Sequence, residues 1–186
     1  THLALVTQFA AQSAAVHRQL AARQQEIGIG DILSPAALST RAGIDRGRGK
    51  LEDYARAYSA AQRRLNQISD DFAARLKNLA QSSAFRQSWI RSSEESLARA
   101  YDRSLRTEEN QRRILALMGQ FLDLADQSLG SIRLEDNRLV FARGDDLRRY
   151  EALHRQLQAE ARIEAGLQEE QRQSQQRLVD ALPVRP

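Results

Sequence analysis

The chain contains no cysteine and is poor in proline and aromatic residues. Among its 186 residues only 3 are proline, and aromatic residues make up 5%. The absence of cysteine excludes disulfide bonds, thiol catalysis and thiolate metal sites, although it is compatible with both the cytosol and the periplasm. The abundance of Ala, Leu, Gln, Arg and Glu beside so few prolines and aromatics favours long helices over sheet folds.

Long apolar runs are also absent. No stretch of about 18 consecutive apolar residues occurs, so no segment is predicted to cross a membrane. Hydrophobic residues nevertheless make up 41% of the chain, which is enough to bury a core. We therefore predict one helical-bundle domain spanning residues 1–186, of which 183–186 form a short disordered tail.

Lysine is the third scarce residue type. Lys50 and Lys77 are the only lysines, so 26 of the 28 basic residues are arginines, yet the net charge is only +4. Basic and acidic residues alternate along the predicted helices, which is typical of solvated helix faces with ion pairs. This distribution argues against a nucleic-acid partner, which would require a continuous basic stripe.

Four long segments carry apolar residues at steps of three and four, the spacing of an amphipathic helix. The first covers about 3–26 and is broken by Gly28 and Gly30, after which Ser34 and Pro35 predict the capped start of a short helix. The second covers about 30 residues to Leu79. Its glycines, Gly43, Gly47 and Gly49, weaken the helical pattern, so the predicted onset falls between residues 40 and 50.

The third and fourth segments follow a predicted corner at 81–83. Ser92 and Glu95 have the spacing of a capping box, which predicts a short helix ending near Arg91 before a longer one. The polar run 106–113 predicts either a kink in that longer helix or an exposed flank. The fourth helix starts after Gly144, where acidic residues favour a helix N-terminus, and continues to about residue 182.

Between the last two helices, residues 131–142 (SIRLEDNRLVFA) predict a β-hairpin. Apolar and polar residues alternate on both sides of Asp136 and Asn137, which can adopt the positive φ angles of a two-residue turn. This turn would pair Glu135 with Arg138, Leu134 with Leu139 and Ile132 with Phe141. The predicted fold class is therefore all-α: an elongated antiparallel four-helix bundle with one short hairpin between the third and fourth long helices.

The GRGK sequence at residues 47–50 suggests an anion site. It is not a nucleotide-binding loop, because the first glycine of that motif and the Ser or Thr after its lysine are both missing. An arginine-rich anion pocket is the remaining functional interpretation, and a solvated helix start is the alternative. The candidate anion-binding residues are Arg41, Arg46, Arg48 and Lys50.

No catalytic or metal-binding pattern is complete. Glu151 and His154 have the Glu-x-x-His spacing of di-iron bundles, but no second copy exists. The serines around Trp89 lack a nucleophile-elbow pattern and are interpreted as helix caps and connections. We predict no enzymatic activity, cofactor or metal.

Two blocks of the sequence resemble a known family. The first is LSPAALSTRAGIDRGRGKLEDYARAYSAAQRRLNQ (33–67), a proline-containing turn before a long helix with spaced tyrosines. The second is MGQFLDLADQSLGSIRLEDNRLVFARGDDLRRYEAL (118–153), a helix, hairpin and helix in succession. In these blocks the chain is similar to helical envelope proteins of Gram-negative bacteria, often lipoproteins, whose biochemical role is unknown.

The resemblance implies a helical bundle in the periplasm or cell envelope and carries over no functional residues. The anchor cysteine that such lipoproteins carry at the mature N-terminus is absent from this sequence, so the signal peptide and lipid anchor that the resemblance implies would have to lie upstream of Thr1. Our leading hypothesis is a non-enzymatic bundle that binds an unidentified protein partner through helix faces or the hairpin edge, with Arg133 and Arg138 as candidate partner-binding residues. The alternatives are a bundle that senses a small anion and a cytosolic coiled-coil scaffold or secretion chaperone. The sequence does not determine the oligomeric state.

Overall fold

A computed structural model describes the backbone of residues 2–79 and 84–180 and the side chains of residues 4–78 and 98–174. The predicted corner at 81–83, the side chain of Trp89 and the tail at 183–186 lie outside the described residues. The elements are helix α1 (His2–Ile27), a 3₁₀ turn (Ile29–Asp31), helices α2 (Pro35–Leu38), α3 (Arg41–Leu79) and α4 (Ala84–Gln127), strands β1 (Ile132–Glu135) and β2 (Arg138–Phe141), and helix α5 (Gly144–Asp180).

The four long helices pack side by side in antiparallel order. Helix α1 lies along α3, where the Phe9 and Phe72 rings are 4.5 Å apart. Helix α3 lies along α4, with Gln62 Nε2 donating to Ser104 Oγ at 2.9 Å, and α4 lies along α5. The predicted all-α bundle is confirmed, as is the hairpin between α4 and α5. None of the described helices combines the length and the apolar character that a bilayer crossing requires.

The connection from α1 to α3 forms as its residue types predict. Gly28 ends α1 with a φ of 68°, a left-handed conformation that glycine adopts without steric cost. Ser34 Oγ then accepts a hydrogen bond from the Ala37 N–H at 3.3 Å, with Pro35 in the first helical turn of α2. Thr40 Oγ1 accepts from the Gly43 N–H at 3.1 Å, and this cap places the start of α3 at Arg41.

The apolar core is concentrated at one end of the bundle. It joins residues of the α1–α3 connection to the start of α3, the end of α4 and the first residue of β1. Ile44 and Leu122 are fully buried at its centre. The buried members of this cluster are Ile32, Leu38, Ile44, Met118, Leu122, Ala125 and Ile132.

Two glycines of α3 allow this close packing. A Cβ atom at Gly43 would lie 2.2 Å from the Ala37 carbonyl oxygen, and one at Gly47 would lie 2.8 Å from Leu122 Cδ2. By helix propensity alone, these glycines weaken the start of the helix. In the fold they let α2 and α4 approach α3, which a longer side chain would prevent.

Helix α4 corrects one prediction. It is continuous over Ala84–Gln127, so the helix does not end near Arg91 before a second one begins. Residues 84–118 contain neither glycine nor proline, so nothing in the backbone interrupts the helix. Within the polar run, Asn110 and Gln111 are buried against α5, so this stretch is a helix–helix contact.

Candidate functional site

The hairpin end of the molecule, defined as residues 128–150, presents an irregular surface supported by the core. Helix α4 ends in a tight reversal in which Gly130 has a φ of 86°. The Ser128 carbonyl oxygen accepts hydrogen bonds from the Ser131 N–H at 2.9 Å and the Ile132 N–H at 3.1 Å, and these bonds direct the chain into β1. The hairpin is therefore fixed to the bundle at its base.

The hairpin has the predicted register. The pairs Ile132–Phe141, Leu134–Leu139 and Glu135–Arg138 all form, with Arg133 opposite Val140. Asp136 and Asn137 have φ angles of 47° and 59°, which are those of a tight turn that matches the twist of the strands. The turn and the alternation of residue types are thus confirmed.

One face of the hairpin is apolar and is covered only near its base. Ile132 is buried in the core, and the Phe141 ring packs 5.2 Å from the ring of Tyr150. Tyr150 in turn meets Phe121 edge-on at 5.4 Å. Leu134, nearer the tip, remains 43% exposed. The apolar face is therefore anchored at one end and open at the other.

The opposite face of the hairpin is charged and exposed. Alternation places Arg133, Glu135 and Arg138 together on this face, so the structure brings together the two arginines predicted to contact a partner. Arg133 Nε lies 3.9 Å from Glu135 Oε1, and the Arg133 side chain is 73% exposed. An exposed ion pair of this length contributes little stability, so both arginines are available to a ligand.

The predicted anion cluster is divided by the fold. Arg48 donates from Nη1 to Asp126 Oδ2 at 3.0 Å and from Nη2 to Asp123 Oδ1 at 2.9 Å. Arg41 Nη1 lies 2.5 Å from Asp126 Oδ1. The hydrogen bonds from Asp123 and Asp126 raise the pKa of the Arg48 guanidinium. Two of the four candidate residues therefore connect α3 to α4 through carboxylates of the protein itself.

The other two anion candidates point elsewhere. Lys50 Nζ donates to the Gly28 carbonyl oxygen at 3.2 Å, so it closes the C-terminus of α1. Arg46 is exposed and has no hydrogen bond or ion pair with any described residue. A free anion would therefore compete with Asp126 at Arg41 and Arg48, although the Arg41 side chain is itself 61% exposed, while Arg46 is exposed and carries no such competing carboxylate among the described residues.

A polar layer between α4 and α5 was not predicted from the sequence. It consists of Asn110 and Gln111 on α4 and Glu160 and Glu164 on α5. Asn110 Nδ2 donates to Glu160 Oε2 at 2.8 Å and to the Glu160 carbonyl oxygen at 3.1 Å. Gln111 Nε2 donates to Glu164 Oε1 at 2.8 Å. Asn110 is only 3% exposed, and its Oδ1 has no hydrogen-bond donor among the described residues.

Burial governs the electrostatics of the polar layer. Desolvation raises the pKa of Glu164, although the hydrogen bond from Gln111 acts in the opposite direction. On α3, Tyr54 and Tyr58 lie toward the same layer. Desolvation, followed by the influence of Tyr54, Glu108 and Glu164, raises the pKa of Tyr58 to about 12. The only signal in the sequence was the presence of adjacent amides within a charged run, which does not identify their partners.

The Glu-x-x-His pair does not form a metal centre in the described structure. The His154 ring lies over Tyr150, with a centroid distance of 6.4 Å, and its side chain is at the surface. Among the residues the structure describes, no group of three or more His, Asp or Glu side chains is placed to hold a metal ion. The hairpin end is therefore the candidate functional site.

Comparisons of this chain with models of protein families, with curated proteins and with solved structures found no match. Its function is therefore inferred from the geometry of its own residues. The feature that stands out is the hairpin end, a ribbon anchored at its base whose apolar face is open at Leu134 and whose charged face presents Arg133 and Arg138.

Proposed function

We propose that the chain is a non-enzymatic helical-bundle protein of the bacterial cell envelope that binds a partner polypeptide at its hairpin end. One observation carries this proposal. The hairpin is anchored to the bundle by its buried base while Leu134, Arg133 and Arg138 remain exposed on it. A preorganised surface of this kind loses little conformational entropy when a partner binds, which favours recognition.

The location in the envelope, with a signal peptide and lipid anchor upstream, is supported by the resemblance of residues 33–67 and 118–153 to envelope proteins. The full-length natural protein should then be recovered in the membrane fraction, and it should be released by detergent rather than by salt. Recovery of the protein in the cytosolic fraction would favour the scaffold or secretion-chaperone alternative.

Partner binding is tested by capture from envelope extract with two matched double variants. Arg133→Ala with Arg138→Ala removes two positive charges from the hairpin. The control, Arg155→Ala with Arg162→Ala, removes two positive charges from the exposed surface of α5, distant from the hairpin in the chain. We expect the hairpin variant to lose most of the captured partner and the control to retain it. Equal capture by both variants would contradict the proposal.

The small-anion alternative depends on Arg41, Arg46, Arg48 and Lys50. It is supported by the exposure of two of these candidates, Arg41 and Arg46. Under this alternative, phosphate or a dicarboxylate should raise the midpoint of thermal unfolding, and Arg46→Ala should abolish the shift. An unchanged midpoint with every anion would exclude it in favour of the partner-binding function.

A further inference from the structure

Strand β1 forms the open edge of the two-stranded ribbon. Residues 133–135 of β1 are exposed, whereas residues 139–141 of β2 are half-buried and β2 packs against the start of α5. In the described part of the chain no further strand pairs with β1. An unprotected strand edge presents unpaired backbone groups that can accept another strand.

The hydrogen bonds at the base of the hairpin determine which backbone groups face outward. The Ala142 N–H donates to the Ser131 carbonyl oxygen at 2.8 Å, so these two residues form a hydrogen-bonded pair. Such pairs alternate along an antiparallel ladder. Arg133 with Val140 and Glu135 with Arg138 are therefore also bonded pairs, while the intervening residues of β1 direct their backbone groups away from β2.

Two residues of β1 have outward-facing groups, and one of them is already satisfied. The Ile132 N–H donates to the Ser128 carbonyl oxygen at 3.1 Å, outside the ribbon, as the alternation requires. At Leu134, neither the N–H nor the C=O has a hydrogen-bond partner among the described residues. Leu134 therefore offers a donor and an acceptor side by side, which is the arrangement that binds an added strand.

The side chains along this edge define the chemistry of the added strand. Leu134 is apolar and lies on one face, where it is 43% exposed. On the other face, Glu135 lies between Arg133 and Arg138, so one positive charge remains uncompensated. A strand aligned with β1 would place an apolar side chain beside Leu134 and a neighbouring acidic side chain beside Arg133.

We propose that β1 binds an extended segment of the partner by strand addition at Leu134, and that this segment carries apolar side chains alternating with acidic ones. The inference rests on the proposed function, because it specifies how the hairpin end recognises its partner. Main-chain hydrogen bonds at Leu134 supply affinity, while the Leu134 and Arg133 side chains select the sequence of the segment.

The experiment uses the full chain and a nine-residue probe peptide that alternates valine with glutamate. Leu134→Pro removes the outward N–H without touching a hydrogen bond of the hairpin, because proline is tolerated at an edge position whose N–H faces solvent. We expect fluorescence anisotropy to show saturable binding to the natural chain and binding weakened about tenfold or more by Leu134→Pro. Arg133→Ala should weaken binding by up to about fivefold, and a valine–lysine peptide should bind less tightly than the valine–glutamate peptide.

The outcomes separate this inference from the proposed function. One outcome is that the peptide binds the Leu134→Pro variant with the same affinity as the natural chain but loses affinity for the double variant Arg133→Ala with Arg138→Ala. In that case strand addition is wrong and the hairpin surface remains the binding site. If none of these variants changes binding, both the strand addition and the proposed function fail. Absence of saturable binding by the valine–glutamate peptide also overturns strand addition.

A second measurement keeps the inference testable if the proline variant fails to fold. In the natural chain, peptide binding should slow hydrogen exchange of the Leu134 amide selectively, since the neighbouring Arg133 and Glu135 amides are already paired within the hairpin. Unchanged exchange at Leu134 would overturn strand addition. Sedimentation tests whether a second copy of the chain occupies the edge instead. If the natural chain is a dimer and Leu134→Pro is a monomer, the second copy pairs with β1. This result would overturn the proposal that a segment of a different protein binds there.

Discussion

Helix α4 makes contacts of opposite kinds near its C-terminus and near its middle. At the hairpin end, Leu122 and Ile132 belong to a continuous apolar cluster. Farther along, Asn110 and Gln111 form hydrogen bonds to Glu160 and Glu164. Apolar burial is nondirectional and is compatible with many relative positions of two helices, whereas buried hydrogen bonds require one alignment of donors and acceptors. We infer that the apolar end supplies most of the stability and that the polar layer fixes the register of α5 against α4.

The contrast between the apolar cluster and the polar layer explains why the proposed binding surface lies at the hairpin end. The hairpin extends from the apolar end, where its base is buried and its neighbours are closely packed. A ribbon of only two strands is marginally stable when isolated in water, so it needs such a support. The predictions below test the difference between the two regions.

The largest effect is expected from Leu122→Ala, which empties the centre of the apolar cluster. Leu122 is fully buried, so the substitution should destabilise the fold by about 2–5 kcal/mol through lost transfer energy and a residual cavity. The control is Leu105→Ala on the same helix, where the side chain is 48% exposed and the change should stay within about 0.5 kcal/mol. Urea unfolding measures both, and equal destabilisation by the two variants would contradict the burial of Leu122 at the centre of the apolar cluster.

Gly43→Ala tests close packing in the same region. The added Cβ would lie 2.2 Å from the Ala37 carbonyl oxygen, so α2 must move and the fold should lose about 1–3 kcal/mol. Gly49→Ala is the matched substitution in the same helix, because nothing lies within 4 Å of its added Cβ. Better helix propensity should make this second variant more stable by up to about 1 kcal/mol. Thermal unfolding of the two variants should therefore shift in opposite directions.

Asn110→Ala tests the polar layer. It removes the donor for the Glu160 carboxylate and should cost about 1–2 kcal/mol, since Glu160 is left partly buried without its closest partner. Arg112→Ala on the same helix removes only an exposed ion pair with Glu108 at 3.3 Å, and it should change stability by less than about 0.5 kcal/mol. Chemical denaturation distinguishes these variants. A negligible effect of Asn110→Ala would show that the layer does not hold α5.

Glu164→Gln should produce the smallest effect, one that depends on pH. Because burial raises the pKa of Glu164 in the folded chain, the folded state disfavours its ionised form. The contribution of Glu164 to the free energy of unfolding is therefore fully present below the unfolded-state pKa of about 4.3. It decreases as the pH rises through the pKa of Glu164 in the folded chain. Compared with the natural chain, Glu164→Gln should be relatively more stable at neutral pH than at acidic pH. Urea unfolding at both pH values measures this, and a pH-independent difference would contradict burial of the charge.

Local features of the fold were predictable because their physical causes lie close together in the chain. Asp136 and Asn137 accept positive φ angles, and the alternating residues around them leave only one register with an apolar face. Ser34 caps α2 through a partner three residues away. Apolar residues at steps of three and four likewise identified the long helices, although the helix end expected near Arg91 was wrong.

The candidate site was predicted less completely. Alternation alone placed Arg133 and Arg138 on one face of the hairpin, and the fold keeps both exposed. The anion cluster was different, because Asp126, which binds Arg41 and Arg48, lies nearly eighty residues farther along the chain. Local spacing contains no information about a partner contributed by another helix.

Steric and hydrophobic patterns over a few residues are enough to predict the long helices, their order and the register of the hairpin. Packing between distant elements is what makes Gly43 a point of helix contact, buries Asn110 and leaves Leu134 open at a strand edge. Burial depends on which distant element faces a side chain. The same residue types would be solvated on an isolated helix or ribbon, and packing gives them their different roles.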